Sequence, residues 1–166
     1  QPTLNWLSIH VPNTHFVLRP LTLDEMRTAV IEKQVDFIIT NPGQAVELSR
    51  QYSLSWIATM LNRSPISKTQ GIGSALVVRD DSPYQTFVDL AGQPIAAISP
   101  QAFGGYLTLH YELTKQNLNP NDYFSNVHFV GFPIDVSLYQ LREHNVEAAV
   151  VPVCLLEKMK GYNTSR

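Results

Sequence analysis

Three short stretches carry the groups from which this chain could build a binding site: TNPGQ (40–44), SPQAFGGY (99–106) and GFPID (131–135). Each follows an apolar run and precedes a helical pattern. In SPQAFGGY, Ser99 ends the run PIAAI and Gly104 and Gly105 fall in the first turn of the helix that follows. A helix start leaves backbone N–H groups unpaired, and those groups with the helix dipole attract an anion. The glycines either admit a ligand close to the backbone or let the helix pack tightly on the sheet; the residues alone leave both open. Phe103 or Tyr106 would wall such a site. In TNPGQ, Thr40 and Asn41 supply a hydroxyl and an amide, Pro42 suits the first helical position and Gly43 again permits close approach. An ordinary strand-to-helix turn is the competing reading. In GFPID, Asp135 is a candidate N-cap for a helix over 136–144, which by itself accounts for the residue. Three junctions of one form tilt the balance toward ligand binding.

Other chemistries have little to rest on. SPQAFGGY is not a nucleotide loop, since neither G-x-x-x-x-G-K-[ST] nor G-x-G-x-x-G is present. His10, His15, His110, His128 and His144 show no metal-ligand spacing, and Ser99 is not in a G-x-S-x-G elbow. Asp24/Glu25 and Asp80/Asp81 read as a helix start and a turn rather than as catalytic pairs. No metal, cofactor or enzymatic activity is expected. The single cysteine, Cys154, permits no intrachain disulfide, and its apolar neighbours in AAVVPVCLLEKM suggest a buried, unreactive thiol.

The 166 residues suffice for one domain or two small lobes, with 44% apolar and 16% charged residues. A net charge of −2 and the lack of any Lys/Arg block argue against nucleic acid as a partner. No apolar run approaches the roughly 18 residues that span a bilayer, so neither a membrane helix nor a signal peptide is expected within this sequence.

The elements that must position the three stretches alternate between strand-like and helix-like patterns. Strands are expected at FVLRPL (16–21), VDFIITNPG (35–43), SWIATML (55–61), SALVVRDD (74–81), QPIAAIS (93–99), NVHFVGF (126–132) and VEAAVVP (146–152). Helices are expected at 22–34, 44–51, 103–117 and 134–144, with a helical turn in YQTFVDLAG (84–92) and a final helix from Val153. Thr22 and Glu25 have the spacing of a capping box. NRSPISKTQGIG (62–73) reads as a loop and NLNPND as a turn. The alternation indicates an α/β fold with parallel sheets covered by helices. Ligands of such sheets sit beyond the carboxyl ends of the strands, where this chain puts its small and polar residues.

The blocks VDFIITNPGQAVEL, GSALVVRDDSPYQTFVDLAGQPIAAISPQAFGGYLTLHYEL and HFVGFPIDVSLYQLREHNVEAAVVP, in that order, resemble the phosphonate-binding periplasmic protein family, a branch of the type 2 periplasmic-binding-protein-like fold. Within it, TNPG and FGG look most like the periplasmic sensor regions of two-component histidine kinases, including tetrathionate sensors. The resemblance implies two α/β lobes with mostly parallel sheets, residues 1–78 forming an incomplete lobe one and 79–166 lobe two, with the chain truncated at both ends. It places Thr40, Asn41, Ser99, Gln101, Ala102, Phe103, Gly104 and Asp135 around an interlobe cleft. It implies a small anionic ligand, a sulfur oxyanion or similar, sensed by hinge closure. The partner it implies is the rest of a membrane-anchored histidine kinase, as a homodimer, with this region in the periplasm and kinase activity elsewhere. Transporter-linked members usually carry a Ser/Thr-rich helix start where this chain has Gln101, Ala102 and Phe103, which suits a softer or larger anion than a phosphonate. A solute-binding protein of a phosphonate-type ABC transporter, or the effector domain of a transcription regulator, are the alternatives.

Overall fold

Strands form where the sequence has its most continuous small and β-branched apolar runs. In a computed structural model, which describes residues 2–59 and 71–159, four strands make one sheet: β1 (Ser74–Val77), β2 (Pro94–Ala97), β3 (Asn126–Phe129) and β4 (Ala148–Pro152). Their order is β1-β4-β2-β3; β4, β2 and β3 run parallel, and β1 joins β4 antiparallel. The helices are α1 (Pro2–His10), α2 (Leu23–Ile31), α3 (Pro42–Gln51), α4 (Thr108–Lys115), α5 (Pro120–Tyr123), α6 (Val136–Arg142) and α7 (Val153–Lys158). A 3-10 turn at Val88–Leu90 and a π-helical turn at Phe103–Leu107 complete the set, the latter running directly into α4.

Side chains alternate across the two faces of the sheet, as the pleat demands. Ile95 and Ala97 of β2 and Ala148 and Val150 of β4 face one core with Leu90, Tyr106, Leu109, Leu113 and Phe124. Ala96, Ala149 and Val151 face the other with Leu138, Leu141 and Val146. Helices therefore cover both faces, and the central strands read as unbroken apolar runs for that reason. Arg79, just beyond β1, ties the crossover to the far end of α6. Its guanidinium donates to the carbonyls of Leu141 (3.2 Å) and Val146 (2.8 Å) and to the Glu147 carboxylate (2.8 Å).

The chain divides into two compact units, Gln1–Ile39 and Thr40–Arg166. The first contains α1 and α2, and the expected capping box starts α2. Thr22 accepts from the Glu25 amide, and the Glu25 carboxylate accepts from the Thr22 amide. Only Ala29 of α2 is fully buried, and Ile31 is half exposed. The second unit contains α3, the sheet and the remaining helices.

Three expected strands are absent among the described residues. Residues 16–21, 35–41 and 55–59 have no ladder partner among the described residues; Met60 and Leu61 of the third run lie outside the described residues, as does most of the 62–73 loop. Val17, Phe37, Ile39, Trp56 and Ile57 of these segments are all largely exposed. An apolar run is a strand only where a neighbour supplies hydrogen bonds and a face to pack on; the runs at 94–97 and 148–152 have both. The expected turn NLNPND holds the short helix α5, which Asn119 caps through the Asn121 amide (3.1 Å). Cys154 is exposed rather than buried, because α7 turns it away from the core that takes Leu155 and Leu156.

Candidate functional site at the carboxyl edge of the sheet

Beyond β2 the chain runs through Ile98 and Ser99 into the π turn. The Ala102 amide donates to the Ser99 carbonyl (3.1 Å), closing a turn. The Ala102 carbonyl then accepts from Gly105 (3.2 Å), Tyr106 (2.8 Å) and Leu107 (3.0 Å). This wide turn leaves the amides of Gln101, Phe103 and Gly104 without an acceptor among the described residues. Pro100 has no N–H to satisfy. The Ser99 Oγ is buried and has no hydrogen-bond partner among the described residues. A buried hydroxyl and three free amides within six residues form an anion-type donor set. π turns inside helices are common at functional positions.

The two glycines of this stretch have packing roles. A Cβ on Gly105 would lie 2.5 Å from Ile98 Cδ1 and 2.8 Å from Ile98 Cβ, so the π turn can rest on β2's extension only with glycine there. A Cβ on Gly104 would meet Ile72 Cγ2 at 3.0 Å and Pro152 Cβ at 3.3 Å. The Gly104 carbonyl accepts from Ser74 Oγ of β1 (2.9 Å). The donor set is thus built by amides and Ser99, with glycines chosen for helix–sheet contact. Phe103 is half-buried at the mouth of the turn, and Ala102 beside it is likewise half-buried. Tyr106 points into the core against Phe129 and His110, and burial raises its phenol above the usual tyrosine range.

The TNPGQ stretch forms the start of α3. The Asn41 Oδ1 accepts from the Gln44 amide (3.1 Å), and Pro42 takes the first helical position. The Thr40 hydroxyl donates to Oε1 of Gln44, whose side chain is fully buried. Thr40 and Asn41 are therefore turn-building residues as well as candidate ligands. Gln44 is the residue that sequence reasoning missed: it is polar, lies on a short helix and gives no signal of burial. The α3 start meets the 99–107 segment directly, since a Cβ on Gly43 would lie 3.1 Å from the Gln101 carbonyl oxygen.

The third stretch joins through the sheet. The Val130 amide donates to Ala97 (2.9 Å) and the Gly131 amide to Ile98 (2.8 Å), which carries the 131–135 turn alongside Ser99's strand. Gly131 has φ +70°, a left-handed conformation that favours glycine. Asp135 departs from its expected role. It stands at the N-cap position of α6 but in helical geometry, and its side chain makes no capping hydrogen bond. Its carbonyl accepts from Leu138 and Tyr139, while Ser137 Oγ donates to the Ile134 carbonyl (2.8 Å). The Asp135 carboxylate is left without a hydrogen-bond partner among the described residues. A carboxylate in this turn would oppose a simple anion and favour a ligand that also presents a hydrogen-bond donor.

Among the described residues, no three His, Cys, Asp or Glu side chains come together as metal ligands, and no helix is long and apolar enough to cross a membrane.

Comparisons with known proteins bear on fold and family. The tetrathionate sensor histidine kinase TtrS of Salmonella typhimurium is 42% identical over 160 residues, covering 96% of this chain and 27% of the kinase. The chain thus spans about a quarter of the length of this curated relative. XAC2383 from Xanthomonas citri, in a structure bound to ATP, superimposes with a TM-score of 0.69 at 18% identity, covering 92% of this chain and 58% of that one. PhnD1 from Prochlorococcus marinus, in complex with methylphosphonate, gives 0.69 at 15% identity, covering 93% and 57%. These likenesses establish the type 2 periplasmic-binding-protein fold, of which the chain holds a part. A family profile, that of the periplasmic phosphonate substrate-binding protein of ABC transporters, matches residues 1–165. With the family pattern running from one end of the sequence to the other, the chain belongs to the phosphonate-type periplasmic substrate-binding protein family.

Proposed function

We propose that this chain is the extracytoplasmic ligand-sensing domain of a two-component sensor histidine kinase and that it detects a small anion, a sulfur oxyanion foremost. The observation that carries the kinase context is the 42% identity to a tetrathionate sensor kinase along nearly the whole chain. The ligand class is supported by the Ser99 hydroxyl and the amides of Gln101, Phe103 and Gly104, which lack partners among the described residues. Thr40 and Asn41 would approach the ligand from the start of α3, and Ala102 and Phe103 would supply an apolar wall for a polarisable anion. Asp135 would stand at the rim of the cleft, where its carboxylate would accept from any donor that the ligand or its bound water carries. The lobe division at residues 78/79 and a homodimeric kinase belong to the same reading, as does a periplasmic location.

Amides and one hydroxyl bind through dipoles and hydrogen bonds, so affinity comes from desolvated, well-directed donors rather than from a countercharge. Signalling then needs contacts made in one conformational state and not in the other, because a ligand shifts an equilibrium only by its differential affinity. The test is calorimetric titration of the full-length protein with tetrathionate, thiosulfate, sulfate, phosphate and methylphosphonate. Saturable binding of a sulfur oxyanion that Ser99→Ala weakens by about tenfold, the loss of one charge-assisted hydrogen bond, is the expected result. Preference for methylphosphonate would favour a transporter-type ligand, and silence toward all five anions would remove the anion reading. At one hundred times the dissociation constant the binding state gains about 2.7 kcal/mol, enough to raise the unfolding temperature of this region measurably.

A further inference from the structure

Gly43 is the tightest point between the two helix starts of the site. A Cβ there would lie 2.5 Å from Leu107 Cδ1, 3.1 Å from the Gln101 carbonyl oxygen and 3.1 Å from Asn41 Oδ1. Its backbone is not in the left-handed region, so what opposes a side chain there is space: the end of Leu107 would have to turn aside, and the Gln101 carbonyl, being backbone, would have to shift by a few tenths of an ångström. Helix propensity favours alanine over glycine, and the helix α3 forgoes that preference at this position. Leu107 is the last residue of the π turn and carries no charge or hydrogen-bonding side chain, so what it brings to the contact is bulk. It belongs to the same turn whose first amides are free.

We propose that Gly43 and Leu107 act as a steric gauge. Their contact fixes the separation between the start of α3 and the 99–104 donor set, and so the size of anion that both can touch at once. The two are positioning residues: neither offers the ligand a polar side chain. The proposal rests on the anion reading given above for its consequence on binding, but the contact itself can be tested without any anion. In close-packed structure a displacement of a few tenths of an ångström is enough to misdirect a donor.

The experiment is a double-mutant cycle in the full-length protein with Gly43→Ala, Leu107→Ala and the pair, and with Gly71→Ala as a control. A Cβ on Gly71 would meet nothing within 4 Å among the described residues. One readout is hydrogen exchange of the peptides spanning 40–51 and 99–110 with no anion added. The other is calorimetric titration with tetrathionate and with sulfate. Gly43→Ala is expected to speed exchange in both peptides about tenfold and to weaken the preferred anion about tenfold. Adding Leu107→Ala is expected to bring both quantities back to within about threefold of the Leu107→Ala protein alone, and the control to change neither. Additive effects in the cycle overturn the gauge, as does wild-type exchange in Gly43→Ala. If neither anion binds the wild-type protein, the anion reading fails while the exchange data still decide the contact. If Gly43→Ala does not fold but the double variant does, the gauge is supported; if the double variant also fails while Leu107→Ala folds, it is overturned.

Discussion

Single residues at the carboxyl edge of the sheet are committed twice, to packing and to the site. Gly105 shows the packing side most sharply. Gly105→Ala would drive a methyl into Ile98, and overpacking of this kind costs about 1–3 kcal/mol. Chemical denaturation should report that loss as a lower midpoint with an unchanged slope. Ser99 shows the other side, since its buried hydroxyl has no partner among the described residues and its removal should leave stability nearly unaltered. Arg79 is structural throughout. Three of its hydrogen bonds go to Leu141 at the end of α6, to Val146 ahead of β4 and to Glu147, and its side chain is only 15% exposed. Arg79→Met should cost on the order of 2–3 kcal/mol, because two carbonyls and a carboxylate lose their donor together. Thermal unfolding checks it; a loss below about 0.5 kcal/mol would mean that water replaces the guanidinium.

Among the elements, α2 has its start written in Thr22 and Glu25. The Glu25 carboxylate accepts from the Thr22 amide (2.7 Å) and the Thr22 hydroxyl (2.8 Å), and these bonds, with Arg19 nearby, hold it below its ordinary value of 4.5. A depressed carboxylate favours the folded helix start above its unfolded pKa, and that contribution disappears as pH falls through the lower folded value. Amide NMR signals of residues 22–26 should therefore shift toward frayed positions on acidification below about pH 4.5, while Thr22→Ala should show the frayed positions already at neutral pH. Wild-type signals that stay fixed down to pH 3 would mean that the box does not hold the helix start. Elements without such local codes behave differently. The runs around Val17, Phe37 and Trp56 have strand composition but no partner among the described residues, and they leave large apolar side chains exposed.

At the scale of the whole molecule, the sheet order β1-β4-β2-β3 decides which junctions can meet. β2 and β3 are neighbours, which puts the segments after them side by side, and Gly131 bonds to Ile98 as a result. α3 lies far from both in sequence yet comes within contact of Gln101 and Leu107. A sensing domain uses such an arrangement by making ligand contacts from separate segments, so that binding reports their spacing. The anion titration tests this level, since a ligand touching only one segment could bind without favouring any arrangement of the others.

Read alone, the sequence determined the α/β class, the helical and strand segments of the second unit from α3 to α7 apart from α5, the capping box of α2 and the family. All of these follow from local periodicity, from spacing within one turn, or from blocks whose order along the chain is itself the signal. The three junctions were legible as small and polar residues after apolar runs. Their inner workings were not, because a hydrogen bond's partner can lie thirty or more residues away, as Gly104's does at Ser74. Only the tertiary structure decided that Gly105 serves Ile98, that Gln44 is buried beneath Thr40, that Asp135 caps nothing with its side chain, and that Gly43 meets Leu107. It also decided which apolar runs became strands, since a strand exists only by its neighbours and a sequence names its residues without naming who stands beside them.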